Sequence, residues 1–255
     1  MDILINNSFE DVALPKVDLI LTDPPYGITQ NKWDTTVEFV DSLWDRLKDN
    51  GMLVCTCSIK YAVEILKKHT DKFSHDLIWQ KTLGSGQLNI SRQPLRTHEL
   101  ILVFKKGKGF YNRVKTKGTP YKVKRDIKTK DCYGVQKGHT AESSERDKKS
   151  VIQVKNPRVK GGHPTEKPIA LWEELATMYA PKGGIILDPF SGSSNILDLK
   201  GYSIIAIEKE KEYYELARNR RTDRILEEEH GIRVNDEEFI FNVEDCEYTV
   251  FSSKS

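Results

Sequence analysis

Two short runs, Val17-Asp18-Leu19-Ile20-Leu21 and Gly184-Ile185-Ile186-Leu187, are almost continuously apolar. A strand with one wet face alternates polar and apolar residues. A strand that is apolar throughout must be covered on both faces, as in the centre of a parallel sheet flanked by helices. Other short apolar runs read as strands at Asp2–Ile5, Met52–Cys57, Asp76–Trp79, Leu100–Phe104 and Ser203–Ile207. Between them lie helical patterns. Val37–Leu47 sets Val37, Val40, Leu43, Trp44 and Leu47 at helical spacing, and Tyr61–Lys68 carries Val63, Ile65 and Leu66. Ile169–Tyr179 opens after Pro168 and stops at Ala180-Pro181-Lys182-Gly183-Gly184, and Lys211–Ile225 is amphipathic. Strands alternating with helices predict an α/β fold with a mostly parallel sheet.

One stretch breaks the alternation. Residues 107–162 are polar and basic, rich in Gly, Ser and Thr, and too long for a simple connection in a compact domain. From Lys105 to Lys160 there are 18 Lys and Arg against 5 Asp and Glu, whereas from Glu227 to Ser255 there are 9 acidic residues against 2 basic. The net charge of +2 therefore hides a basic block and an acidic end. A basic block suits a polyanionic partner, although a solvated loop has the same composition. No apolar run reaches the roughly 18 residues of a membrane span, and the first residues lack the pattern of a signal peptide. No membrane association is expected. The four cysteines, Cys55, Cys57, Cys132 and Cys246, show no zinc-ligand spacing; Cys55 and Cys57 would share one face of a strand and pack in a core of a reduced, intracellular protein.

Three motifs carry chemistry. Asp23-Pro24-Pro25-Tyr26 follows directly on the strand Val17–Thr22, at the carboxyl end, where open α/β sheets bind ligands. The lone pair of an exocyclic base amine is delocalised into its ring. To become a nucleophile the amine needs a carboxylate, such as Asp23, to accept one N–H and a fixed carbonyl, such as that of Pro24, to accept the other. Pro25 stiffens the turn, and Tyr26 offers a stacking face for a base taken out of its helix. Leu187-Asp188-Pro189-Phe190-Ser191-Gly192-Ser193 also ends a buried strand, with a Gly at a strand-to-helix turn. About twenty residues on, Glu208, followed by Lys209, is placed to bind ribose hydroxyls of a nucleoside cofactor. His163-Pro164-Thr165-Glu166-Lys167-Pro168 precedes a helix, and Thr165 and Lys167 could hold the carboxylate of an amino-acid-like cofactor.

In this order, over residues 1–221, the motifs resemble the amino-group DNA methyltransferases of the permuted β class, found in bacteria and phages. The resemblance implies a seven-stranded Rossmann-like sheet that binds S-adenosylmethionine, with a circularly permuted motif order and an inserted target-recognition region. The divisions would be 1–106 and 163–221 for the catalytic and cofactor-binding halves, 107–162 for the insert, and 222–255 for an acidic extension. Asp23, Pro24, Pro25 and Tyr26 would be catalytic. Asp23, Asp188, Phe190, Ser191, Gly192, Ser193, Glu208 and Lys209 would line the cofactor, with Thr165 and Lys167 at its methionine end. Asn7 and Ser8 stand where the family often has an Asp near the cofactor adenine. Lys32 and Trp33, in a loop over the pocket, would meet DNA, as would Arg92 and Arg96, in a family-like segment running to Glu99, and Lys122, Lys124 and Arg125 in the insert.

Asp at the head of the tetrapeptide favours N6 of adenine; N4 of cytosine, or a weakly active DNA-binding homologue, are the alternatives. Duplex DNA is the expected partner, and a second copy and a cognate restriction endonuclease are further candidates, in the cytoplasm of a bacterial or phage-infected cell. No metal is needed, because a sulfonium already makes its methyl group electrophilic. Two departures from the family pattern stand out. Ser194 replaces the second Gly of the cofactor turn, at a backbone position that would cost about 1 kcal/mol for a residue with a side chain. The segment Ile196–Gly201 is also short for the helix that should follow, and the acidic end after Arg221 matches nothing in the family pattern.

Overall fold

The computed structural model describes residues 2–27, 36–125, 138–156 and 166–220, together with four short strands between 225 and 251. The chain divides into two compact units, Arg113–Lys149 and the remainder.

The larger unit is built on one mixed sheet. In chain order its strands are β1 (Asp2–Asn6), β2 (Val17–Thr22), β3 (Leu47–Cys57), β4 (Phe73–Ser85) and β5 (Arg96–Lys105). After the smaller unit, whose strands are β6 (Lys115–Arg125) and β7 (His139–Asp147), come β8 (Val151–Gln153), β9 (Ile185–Asp188) and β10 (Ser203–Glu208). The last are β11 (Ile225–Leu226), the separate pair β12 (Ile232–Val234) and β13 (Glu237–Phe239), and β14 (Glu247–Phe251). The sheet runs β11-β14-β1-β10-β9-β2-β3-β5-β4-β8. It has ten strands, not the seven expected. The additional ones lie at its edges: β8 beside β4, and β14 with β11 beside β1. None of these three carries a long apolar run; β8 and β11 form the two edges, each with a single neighbour, and β14 lies between β11 and β1.

Strands β1, β10, β9, β2 and β3 are mutually parallel. Their sequences explain why they sit at the centre. All of β9 and β10 is buried, and β2 is buried except at Asp18. Asp18 is satisfied there by Lys48 at 3.1 Å and by the backbone N–H of Ile185 at 2.8 Å. Helices α1 (Val40–Trp44), α2 (Ile59–His69), α3 (Ile169–Tyr179) and α4 (Lys211–Arg220) accompany the sheet. Ser58 caps α2 by accepting from the Tyr61 N–H, and Lys67, Lys68 and His69 close its last turn. Helix α3 buries Leu171, Trp172, Leu175, Ala176, Met178 and Tyr179. Cys55 and Cys57 are both buried in the core, and burial pushes the Cys57 thiol up to about 12.

Strand order places the site. From β2 the chain continues to β3 on one side, and from β9 to β10 on the other, so β2 and β9 flank the point where the winding reverses. Loops leaving the carboxyl ends of two such strands diverge and open a crevice. Asp23–Tyr26 leaves β2, and the turn after Asp188 leaves β9. The 3₁₀ helix Asn195–Asp198 is all the helix that follows that turn, in keeping with the shortness of Ile196–Gly201.

In the smaller unit β6 and β7 form an antiparallel hairpin, with Lys115 paired to Glu145 at 3.0 Å, Lys122 to Glu142 at 3.2 Å, and the Arg113 guanidinium engaging both oxygens of Asp147. Among the described residues no helix is long and apolar enough to cross a membrane.

Candidate active site

Asp23 lies one residue beyond β2, and both of its carboxylate oxygens are engaged. Oδ1 accepts from the Tyr26 and Thr56 hydroxyls, which lie 2.9 Å apart, while Oδ2 takes the Lys167 ammonium. Lys167 also stands 3.5 Å from Glu99 Oε2 and 5.8 Å from the centre of the Tyr26 ring. The other oxygen of Glu99 holds Lys81. The result is a chain of alternating charges, Asp23, Lys167, Glu99 and Lys81, drawn from β2, the approach to α3, β5 and β4. Lys167 keeps only 5% of its side chain exposed. Burial disfavours its ammonium, but the Asp23 and Glu99 carboxylates outweigh that and hold its pKa above the ordinary lysine value. Burial, reinforced by the Asp23 charge, pushes the Tyr26 phenol well up, so Tyr26 stays a neutral donor. Its ring lies 5.7 Å from that of Tyr61, whose hydroxyl donates to the Val37 carbonyl at 2.9 Å.

The neighbouring strand ends hold two more buried carboxylates. Asp188 accepts from the Thr22 hydroxyl at 2.6 Å and from the Phe190 N–H at 3.1 Å, which ties the end of β9 to the end of β2. Burial lifts its pKa to about 7. Glu208, at the end of β10, accepts from the Gly192 N–H at 2.7 Å and the Glu210 N–H at 2.8 Å, and burial lifts it to about 6. Phe190 is fixed edge-on by Phe9 and Phe39, at 5.2 and 5.7 Å. In the turn itself Gly192 has φ 53°, and Ser194, where the second Gly was expected, has φ 52°. That is the left-handed region, which a side chain disfavours. Ser194 is held there by Ser191, whose hydroxyl is 2.7 Å from its own and which also donates to the Ile207 carbonyl at 3.0 Å. Ser193 donates to Glu166, which Arg220 engages at 2.9 Å.

At the end of β1, Asn6 donates to the carbonyls of Glu208 and Lys209 at 2.9 and 3.2 Å. Asn7 turns back to its neighbour, its side-chain oxygen accepting from the Ser8 N–H at 2.8 Å. The strand order thus gathers Asp23 to Tyr26, Lys167, the turn Asp188–Ser193, Glu208 and Lys209 at the carboxyl ends of adjacent strands. Thr165, Lys32 and Trp33 lie outside the described residues, as does the side chain of Arg125. Arg92 is exposed on the connection between β4 and β5, Arg96 is exposed at the start of β5, and Lys122 and Lys124 are exposed in the hairpin unit. Sequence reasoning missed Thr56, Glu99 and Lys81. Glu99 closes the segment that begins at Arg92, so position flagged the segment but nothing marked which of its polar residues faces inward.

Among the described residues one group could offer three metal ligands, Glu38, Asp41 and His69. Its carboxylates are already paired with Lys68, at 3.2 Å, and with Lys72, and Glu38 also with His69, at 3.0 Å.

Comparison with known proteins agrees with this geometry. The model of a family described as DNA methylase matches residues 17–219. The chain is 29% identical over 227 residues to the Type II methyltransferase M.HpaI of Haemophilus parainfluenzae, covering 80% of this chain and 68% of that protein. It is 26% identical over 239 residues to the Type II methyltransferase M2.DpnII of Streptococcus pneumoniae, covering 80% and 82%. Among solved structures, a complex of M1.HpyAVI with SAM superposes with a TM-score of 0.56 at 25% identity, covering 81% of this chain and 90% of that one. The cytosine-N4-specific PvuII DNA methyltransferase shares the fold at 17% identity, with a TM-score of 0.56 and coverage of 83% and 82%.

Proposed function

Because this chain belongs to the DNA methylase family, we propose that it transfers a methyl group from S-adenosylmethionine to N6 of adenine in duplex DNA, with the target base taken out of the helix. The observation that carries the reading is Asp23, an ionisable acceptor fixed at the mouth of the crevice by a buried lysine and two hydroxyls. The aspartate at the head of the tetrapeptide favours adenine over N4 of cytosine in the β class that the motif order resembles.

The crevice fits the cofactor. Glu208 is a buried carboxylate whose raised pKa reflects too little solvation, and the two hydroxyls of a ribose would supply donors to it. Gly192 lets a ligand approach the backbone, and Phe190 is an edge-anchored apolar wall. When bound, the cofactor supplies an electrophilic methyl on a sulfonium. The chain's own groups do the rest. Asp23 accepts one N–H of the target amine and the carbonyl of Pro24 the other, so that the nitrogen lone pair turns towards the methyl group. Lys167 holds Oδ2 of Asp23, and it has to yield part of that contact as the amine arrives. Tyr26 and Thr56 hold Oδ1 in place during that exchange. Most of the rate gain is positional, since the reacting groups need only be held in line.

Arg92, Arg96, Lys122, Lys124 and Arg125 would serve phosphates and bases. A cognate restriction endonuclease and a homodimer are further expectations, the first in keeping with the Type II names of the relatives.

The test is nucleoside mass spectrometry of unmethylated DNA incubated with protein and S-adenosylmethionine. N6-methyladenine is the expected product. N4-methylcytosine would keep the mechanism and change the base, and no methylated base would overturn the reading. Asp23→Ala is expected to abolish transfer while leaving cofactor affinity within about twofold; substantial residual turnover would remove Asp23 from its role.

A further inference from the structure

Strands β4 and β5 run beyond the sheet as an arm whose root is the active site. Lys81 and Glu99, at its base, are bonded to each other, and Glu99 reaches Lys167. Three residues along β5, about 10 Å at strand spacing, Arg96 pairs with Ser85, and the tip follows. The arm is built, not slack. Between Gln80 and Ser85 β4 bulges, and the side-chain oxygen of Asn156 accepts from the Thr82 and Leu83 N–H groups at 3.0 and 3.3 Å. Gly84 leaves room for Leu95, whose Cβ would stand 2.8 Å from any Cβ added there. Gly86, at φ 92°, opens the 3₁₀ helix Gln87–Asn89. Gln87 donates back to the Gly84 carbonyl at 2.8 Å, and the Asn89 carbonyl accepts from Arg92 and Gln93 at 2.9 and 3.0 Å.

This hydrogen-bonded tip presents apolar side chains to solvent. Leu88 is 99% exposed, Leu83 66% and Ile90 64%. From Lys81 to His98 there is no acidic residue in a chain that carries 38. Arg92 and Arg96 flank the tip, and neither guanidinium has an ion-pair partner among the described residues. An apolar knuckle between cations that have no ion-pair partner among the described residues, rooted beside the site proposed above for a displaced base, is complementary to duplex DNA: the cations suit phosphates and the apolar group suits the gap between stacked bases.

We propose that Leu88 is a wedge that enters the base stack where the target nucleotide leaves it, with Arg92 and Arg96 fixing the adjoining phosphates. Arm and pocket then act as one device, the wedge holding open the space the base vacates. The proposal rests on the methyl-transfer reading above. Its test compares Leu88→Ala and Leu88→Met with the wild-type protein on unmethylated plasmid DNA, by methyl incorporation and by permanganate reactivity of thymines, which rises when a thymine loses its stacking neighbour. Because Leu88 is so exposed, folding is not at stake. Leu88→Ala is expected to lower duplex methylation by about tenfold or more and to abolish the enhanced thymine reactivity, with S-adenosylmethionine affinity unchanged; Leu88→Met should keep both signals. The wedge is overturned if Leu88→Ala keeps both, if it loses methylation but keeps thymine reactivity, or if it changes the mass of the protein in solution, which would make the tip a contact between copies. Absence of methylation by the wild-type protein itself would instead sink the methyl-transfer reading and take the wedge with it.

Discussion

Asp188 and Glu208 are carboxylates kept out of water, and each makes the protein sensitive to pH in a calculable direction. Burial raises Asp188 to about 7, above its unfolded value, so the folded state binds its proton more tightly than the unfolded state does. The stability this contributes is complete at low pH and is lost as pH rises towards and through about 7. Melting temperature should therefore fall between pH 5 and pH 8, and Asp188→Asn, which keeps an oxygen for Thr22 and Phe190, should flatten that fall. An unchanged slope in the variant would mean that Asp188 is not the group responsible. Glu208 works on affinity. Below about 6 it becomes protonated and accepts hydroxyl hydrogens poorly, so S-adenosylmethionine binding measured by calorimetry should weaken on acidification, and the trend should vanish in Glu208→Gln. Ser194→Gly should relieve left-handed strain of about 1 kcal/mol, partly offset by the lost contact with Ser191. The expected result is a melting temperature equal to or slightly above that of the parent. At this scale the motif residues were legible because their types are unusual in sequence. Thr56, Glu99 and Lys81 were not, since a polar residue within a strand is common and only strand order brings Thr56 to Asp23 and Glu99 to both Lys167 and Lys81.

At the scale of elements, apolar runs located the central strands well and their ends poorly. The helix expected over Val37–Leu47 is only Val40–Trp44, and Leu47 instead begins β3, paired with Val17. Leu43 and Leu47 suit either structure, and the left-handed Asn50, at φ 63°, is an irregularity that periodicity cannot foresee. Strands β6 and β7 escaped notice because the hairpin they form is largely exposed and is held by cross-strand ion pairs in place of an apolar stripe. The helix expected over Lys211–Ile225 ends at Arg220 among the described residues, with Ile225 in β11. If the hairpin carries DNA, neutralising Lys122, Lys124 and Arg125 together should weaken DNA binding and flatten its dependence on salt, by a slope of up to about 0.9 per lost phosphate contact. Cofactor affinity should not change. Equal loss of both would indicate misfolding.

Across the whole molecule, parallel alternation was readable and closure was not. The acidic end resembled nothing, yet β14 within it lies antiparallel along the outer edge of β1, from Asp2 opposite Phe251 to Asn6 opposite Glu247. Burial there is substantive, since Val250 is in the core and the Thr249 hydroxyl lies 2.8 Å from that of Tyr214. This pairing governs the order of events on the ribosome. Strand β1 must wait with its outer row of amides and carbonyls unsatisfied until residues 247–251 have been synthesised, about 240 residues later. Until then the nascent chain exposes a sticky edge, and a transcript truncated even shortly before residue 247 would release a product poised to associate with itself.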